Sequence, residues 1–350
     1  MAGAEIVDVL PIHRFDEAKL RAYLRDHLEG SAGPLRVQQF QGGQSNPTFL
    51  ISTQAGQYVL RKQPPGNLLP SAHAIDREYR VQVALKGTPV PVAPMRLYCE
   101  DASVIGTPFY LMEYVPGRIF FKPDLPNLNQ GQRKPIYMAF AHTLAALHEV
   151  DPHAVGLSDF GKSEGYARRQ VKRWSEQYES AKTDGIEAMD KLIAWLRANI
   201  PGEDETAITH GDFKLNNLMF EIDDAYVIAV LDWELSTLGH PLADLGYVCM
   251  GYRIPADLPV LGGLGGLDLT ALGIPTEREV VRAYCERSGR ATIPDLTFFI
   301  AFSFFRYASI AQGVYARSLQ GNAADARAHM AGQAAIMLAQ EGWRIAKTAG

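Results

Sequence analysis

The segment from His210 to Glu234 constrains this chain more than any other. It reads His210-Gly211-Asp212-Phe213-Lys214-Leu215-Asn216-Asn217, then two short apolar runs separated by Asp223-Asp224, then Asp232-Trp233-Glu234. The runs Asn217 to Glu221 and Tyr226 to Leu231 predict strands, and Asp-Asp between them predicts a turn, so the segment is a hairpin. A hairpin returns the chain to its starting point. Asp232 is therefore expected to come back beside Asn217, fifteen residues earlier.

The rest of the chain must frame that hairpin. With 350 residues and 47% hydrophobic content, the expectation is two lobes rather than one core. The apolar and β-branched runs Leu35 to Phe40, Thr48 to Thr53, Gln57 to Lys62, Leu97 to Glu100 and Phe109 to Tyr114 predict five strands. Helices are predicted over Phe15 to Leu28 and Ala72 to Leu85. After Val115-Pro116-Gly117 the pattern turns helical, over Pro135 to Val150, Tyr166 to Lys182 and Ala188 to Asn199. Helices resume at Glu277 to Ser288, Pro294 to Leu319 and Ala323 to Thr348. The loop from Ile254 to Ile274 has no assignable pattern. The expected class is α+β, with a small antiparallel β-sheet lobe over residues 1–115 and a mainly helical lobe over 116–350.

Composition excludes some functions. A formal net charge of -5 with 21% charged residues gives no support to nucleic-acid or membrane-surface binding. Cys99, Cys249 and Cys285 are odd in number and widely separated. They predict neither a disulfide framework nor a zinc site, and fit a reducing cytoplasm. The acidic N-terminus does not read as a signal peptide. The greasiest run, Leu296 to Phe305, stops at Arg306, too short for a bilayer, and is expected to be a buried helix.

The 210–234 segment resembles the H-x-D-x-x-x-x-N catalytic loop and following metal-binding aspartate of kinases. The forms HGD and LDWE resemble the aminoglycoside phosphotransferase and choline kinase superfamily rather than protein kinases. The resemblance implies a protein-kinase-like two-lobed fold using ATP and Mg²⁺. It implies Asp212 as base or orienter of an acceptor hydroxyl, and Asn217 with Asp232 as metal ligands, assisted by Glu234. The chemistry agrees: one carboxylate serves the acceptor, and separate oxygen ligands serve the ion that neutralises the phosphates. His210 is expected to brace the loop and Asp244 to hold it, both structurally. His142 and His148 read as ordinary histidines.

The first third supplies the remaining parts. Gly42, Gly43, Ser45 and Asn46 lie in the segment that the resemblance makes the phosphate-covering loop, although Gly-Gly also marks an ordinary hairpin. Either Arg61 or Lys62 supplies the phosphate-contacting cation. Alternation sends them to opposite faces, and motif position favours Arg61. Glu78 is the expected partner of that cation, against the plainer reading of a solvated helix charge. Glu113 and Val115 flank the linker whose backbone would hold adenine.

The stretches Leu60 to Gly66, Leu69 to His73, Arg169 to Trp174 and Gln312 to Arg317 resemble a narrower group, the kinase-like domain fused to acyl-CoA dehydrogenases in some proteins. That resemblance implies phosphorylation of a hydroxyacyl-CoA, preparing its hydroxyl for elimination, and a functional partnership with an acyl-CoA dehydrogenase. Charge reasoning leans the same way. Arg169, Arg173, Arg306, Gln312 and Arg317 are candidates to meet an anionic acceptor such as a CoA thioester, whereas an aminoglycoside is a polycation. Glu164, Glu176 and Glu179 stand nearby, so an ordinary solvated face is the competing reading. Kinases of other small alcohols (an aminoglycoside, a sugar or a choline-like molecule) and a nucleotide-binding pseudokinase are the alternatives.

Overall fold

The structure is a computed structural model that describes residues 5–41, 46–64, 74–202, 205–258, 262–319 and 328–349. The chain divides into two compact units. The first holds residues 1–122, 153–157 and 214–236; the second holds 123–152, 158–213 and 237–350.

The first unit is built on a six-stranded antiparallel sheet of β1 (Ile6–Val7), β2 (Arg36–Phe40), β3 (Thr48–Thr53), β4 (Gly56–Lys62), β5 (Met95–Cys99) and β6 (Phe109–Glu113). The order across the sheet is β1-β2-β3-β4-β6-β5. The two-residue β1 lacks the length that a sequence pattern needs, and it escapes the sequence reading. Period-two alternation sorts the core. Phe49, Ile51, Tyr58 and Leu60 face Leu20 and Leu24 of α1 (Glu17–His27), while Leu50, Val59 and Tyr110 face Ile75 of α2 (Ile75–Leu85). A short α3 (Ala102–Ile105) is capped by Asp101 and ended by Gly106 in the left-handed region.

The hairpin of Leu218–Phe220 with Val227–Val230 also belongs to this unit, so the units do not follow one cut at residue 115. Backbone bonds explain why. Arg118 and Phe220 exchange a pair of 2.8 Å hydrogen bonds, and Val230 N–H donates to Pro91 O at 2.9 Å.

The second unit is helical. It contains α4 (Gln130–Glu149), α5 (Tyr166–Ala181), α6 (Glu187–Ala198), α7 (Pro241–Gly251), α8 (Leu269–Leu272), α9 (Glu277–Ser288), α10 (Leu296–Leu319) and α11 (Ala328–Ala346). Helix α4 begins before Pro135, because a capping box of Asn129 with Gln132 nucleates it and the proline falls in its second turn. Helix α10 is the axis, packing against α5, α6, α7 and α11. Its run Phe298 to Phe305 is buried throughout, which accounts for its hydropathy. Among the described residues no helix is long and apolar enough to cross a membrane. Ala207–Thr209 and Thr237–Gly239 form a small antiparallel pair, and the first of these leads directly into His210.

Candidate active site

In the first unit, alternation along β4 sends the two neighbouring cations to opposite faces of the sheet. Arg61 shares the α2 face with Val59. Lys62 shares the α1 face with Leu60, where it is 3% exposed with Nζ 5.7 Å from the centre of the Phe15 ring. Burial pushes the Lys62 amine down.

Arg61 meets three carboxylates. Its Nη2 donates to Asp232 Oδ1 at 2.7 Å and lies 3.9 Å from Glu234 Oε2, and its Nε lies 3.2 Å from Glu78 Oε2. Glu78 is fully buried and is not the solvated helix charge of the plainer reading. Its Oε1 accepts from Asn46 Nδ2 at 2.6 Å and its Oε2 from Tyr110 Oη at 2.9 Å. Burial opposes charge on both partners. For Arg61 the attraction of Glu78, Tyr110 and Asp232 outweighs burial and holds the guanidinium protonated. For Glu78 burial dominates, reinforced by Asp232 and Glu234, and pushes its carboxyl up despite Arg61 and Tyr110.

The hairpin positions Asp232 as its sequence suggests. Leu231 N–H donates to Asn217 O at 2.8 Å, which ties the end of the second strand to the 3₁₀ turn Leu215–Asn217 before the first. Asp232 itself is in the left-handed region at φ 64° and ψ 59°. That conformation is costly for a residue bearing a Cβ and recurs where side chains are held for function. Glu234 follows in the 3₁₀ turn Trp233–Leu235, anchored by Trp233 Nε1 donating to Val230 O at 3.0 Å.

At the linker, Glu113 N–H donates to Pro94 O at 2.9 Å and Tyr114 N–H to Gln57 O at 3.1 Å. The Glu113 carboxylate pairs with Arg96, and Val115 packs beside Val59 and Tyr110. Gly42, Gly43 and Ser45 lie outside the described residues.

In the second unit, the loop bearing Asp212 is held from below by Asp244. The two carboxylate oxygens of Asp244 accept from the backbone N–H groups of His210 at 2.7 Å and Gly211 at 2.8 Å. Gly211 sits at φ 82°, where a side chain would be strained. Burial alone would raise the Asp244 carboxyl. Hydrogen bonding and charge from His148, with His210, outweigh that and hold it below the usual range. His148 Nε2 lies 3.3 Å from Asp244 and its Nδ1 lies 2.9 Å from Tyr284 Oη, a bracing role that sequence spacing did not reveal. His210 is fully buried, and its Nδ1 accepts from Asp212 N–H at 3.3 Å.

Asp212 meets two residues that the sequence gave no reason to select. Tyr247 Oη donates to Asp212 Oδ1 at 2.8 Å, and Tyr307 Oη lies 3.4 Å from the same oxygen. The phenol oxygens are 2.6 Å apart and the rings stack at 5.3 Å.

The acceptor candidates separate into two groups. Arg306 donates to Gly211 O at 3.0 Å, and its guanidinium lies 5.5 Å from the Trp174 ring, which Arg173 approaches at 5.7 Å. Arg169 donates to Lys162 O at 2.6 Å and Arg317 is exposed. Gln312 is buried, donating to Ala181 O at 3.0 Å and Thr183 Oγ1 at 2.9 Å.

The HGD loop, the returning hairpin and the Arg61–Glu78 pair define a protein-kinase-like enzyme, a phosphotransferase with an alcohol group as acceptor. Residues 36–284 match the model of the phosphotransferase enzyme family, and the chain belongs to that family. It is 48% identical over 334 residues to mouse acyl-CoA dehydrogenase family member 10, covering 95% of this chain and 31% of that protein. It is 45% identical over 349 residues to rat acyl-CoA dehydrogenase family member 11, covering 98% of this chain and 45% of that protein. The chain thus spans less than half the length of these relatives.

A crystal structure from Ralstonia eutropha, provisionally named an aminoglycoside phosphotransferase, matches with a TM-score of 0.88 and 48% identity, covering 96% of this chain and 99% of the other. A thermostable mutant of aminoglycoside phosphotransferase APH(4)-Ia, in complex with AMP-PNP and hygromycin B, matches with a TM-score of 0.61 at 15% identity. That match covers 93% of this chain and 98% of the other, and its likeness is one of fold.

Proposed function

We propose that this chain transfers the γ-phosphoryl group of ATP to the hydroxyl of a hydroxyacyl-CoA. The observation that carries the reading is the Arg61 cluster, in which the largely buried guanidinium of a β4 residue meets Glu78 on α2 and Asp232 and Glu234 after the hairpin, all within one unit. Such an arrangement suits a triphosphate and its counter-ion: the cation for phosphate oxygens, the carboxylates for the ion. Asp232, Glu234 and Asn217 offer hard oxygen donors of the kind Mg²⁺ takes, and they fit it. When bound, the ion neutralises phosphate charge. The protein's part is to hold the nucleotide with Arg61, braced by Glu78, and to orient the acceptor hydroxyl with Asp212. The nucleotide complex of the APH(4)-Ia fold neighbour supports ATP as donor.

Two observations favour a CoA thioester over a polycation. The relatives at 48% and 45% identity are named acyl-CoA dehydrogenases. Arg173 and Arg306 flank Trp174 in the same unit as Asp212, and arginine is suited to phosphate groups. A functional partnership with an acyl-CoA dehydrogenase and a reducing cytoplasmic location, the latter in keeping with three free cysteines, complete the reading. The test is ADP release measured across hydroxyacyl-CoA thioesters, aminoglycosides, sugars and choline. Turnover confined to CoA thioesters supports the proposal. Turnover only with another alcohol overturns the acceptor, and nucleotide binding without turnover would make the chain a pseudokinase.

A further inference from the structure

The hydrogen bonds around Asp212 carry one more step, which rests on the function proposed above. Tyr247 on α7 and Tyr307 on α10 converge on one carboxylate oxygen, and their rings stack with 19° between planes. Each phenol has one proton, and a carboxylate only accepts. With Asp212 ionised, the 2.8 Å contact requires Tyr247 to donate to Oδ1. Tyr247 has then spent its proton, so the 2.6 Å contact requires Tyr307 to donate to Tyr247. The result is a two-step relay running from α10 through α7 to Asp212. A phenol that accepts one hydrogen bond donates the next more strongly, so the relay reinforces itself.

We propose that Tyr247 and Tyr307 are positioning residues for Asp212, fixing the carboxylate by a phenol-to-phenol-to-Oδ1 relay. The relay fixes rotation about the Asp212 side chain, which a loop residue otherwise loses only by binding substrate. Around this loop, Arg306 from α10 donates to Gly211 O, and His210 Nδ1 accepts from the Asp212 backbone N–H. Burial and the Asp212 charge both push the phenols up, so each keeps its proton across the working range.

The experiment compares Tyr247→Phe and Tyr307→Phe with the wild-type chain in two ways. The first is kcat and KM with whichever acceptor the wild type phosphorylates. The second is the ¹³C NMR shift of the Asp212 carboxyl in the full chain at one neutral pH, with the resonance assigned by Asp212→Asn. The relay predicts that Tyr247→Phe lowers kcat on the order of tenfold and leaves the KM for ATP unchanged. Tyr307→Phe lowers kcat by less. The Asp212 carboxyl resonance moves in both variants. Unchanged kcat and an unmoved Asp212 resonance in Tyr247→Phe would overturn the inference even if phosphoryl transfer is found. If the wild type phosphorylates no acceptor, the functional reading fails, and the NMR shift alone still decides whether the phenols act on Asp212.

Discussion

Arg61 Nη2 lies 2.7 Å from Asp232 Oδ1, joining strand β4 to a residue 171 positions later. Phosphate oxygens and a divalent ion would compete for the two sides of this pair. Glu78, 3.2 Å from Arg61 Nε, restrains the guanidinium, and under the proposed function that restraint would present it to phosphate. Arg61→Met is expected to raise the KM for ATP roughly tenfold to hundredfold, the range for losing a charge-assisted contact. Lys62→Met, on the opposite face, is expected to leave that KM near wild type. Steady-state kinetics at varied ATP checks both.

Removing Asp244 tests the support of the catalytic loop. Asp244→Ala leaves the buried His210 N–H, the partly buried Gly211 N–H and His148 without their acceptor, at an expected cost of about 3–5 kcal/mol. The pH dependence has a definite sign. The folded-state carboxyl titrates below its unfolded value of about 3.9, so its contribution is present above that pH and is lost as pH falls through the folded value. Urea unfolding should show a wide gap between wild type and Asp244→Asn at neutral pH, narrowing in acid.

Packing of α7 on α10 gives a third expectation. A Cβ added at Gly246 would stand 2.6 Å from the backbone carbon and oxygen of Phe299, groups that cannot yield as a side-chain tip can. Gly246→Ala is expected to destabilise the second unit by about 1–3 kcal/mol. It should also disturb activity, because Tyr247 follows directly. Chemical denaturation with a parallel assay measures both.

The legible parts of this molecule were those fixed by local pattern. Strand β3 over Thr48–Thr53 and helix α9 over Glu277–Ser288 follow from alternation and from a capping box ended by Gly289. The hairpin return to Asp232 followed from turn chemistry between two short strands. Helix α7 was not legible, because it is apolar on every side and shows no amphipathic period. Its signals were His240 as N-cap and Pro241 at the first position. Tyr247 and Tyr307 were hidden for another reason. They are 60 residues apart, and only the packing of α7 on α10 makes them neighbours. His148 likewise acquires its place between Asp244 and Tyr284 from tertiary packing, 96 and 136 residues away.

The central claim, that Asp212 serves an acceptor hydroxyl during phosphoryl transfer from ATP, is tested most directly with γ-labelled ATP and a hydroxyacyl-CoA. The labelled phosphate is followed into the thioester product for wild type and for Asp212→Asn. The account predicts label on the product with wild type and a rate about 10²–10⁴-fold lower in the variant, the range for a positioned acid–base group. Equal labelling by both proteins, or none from the wild type with any alcohol, would contradict it.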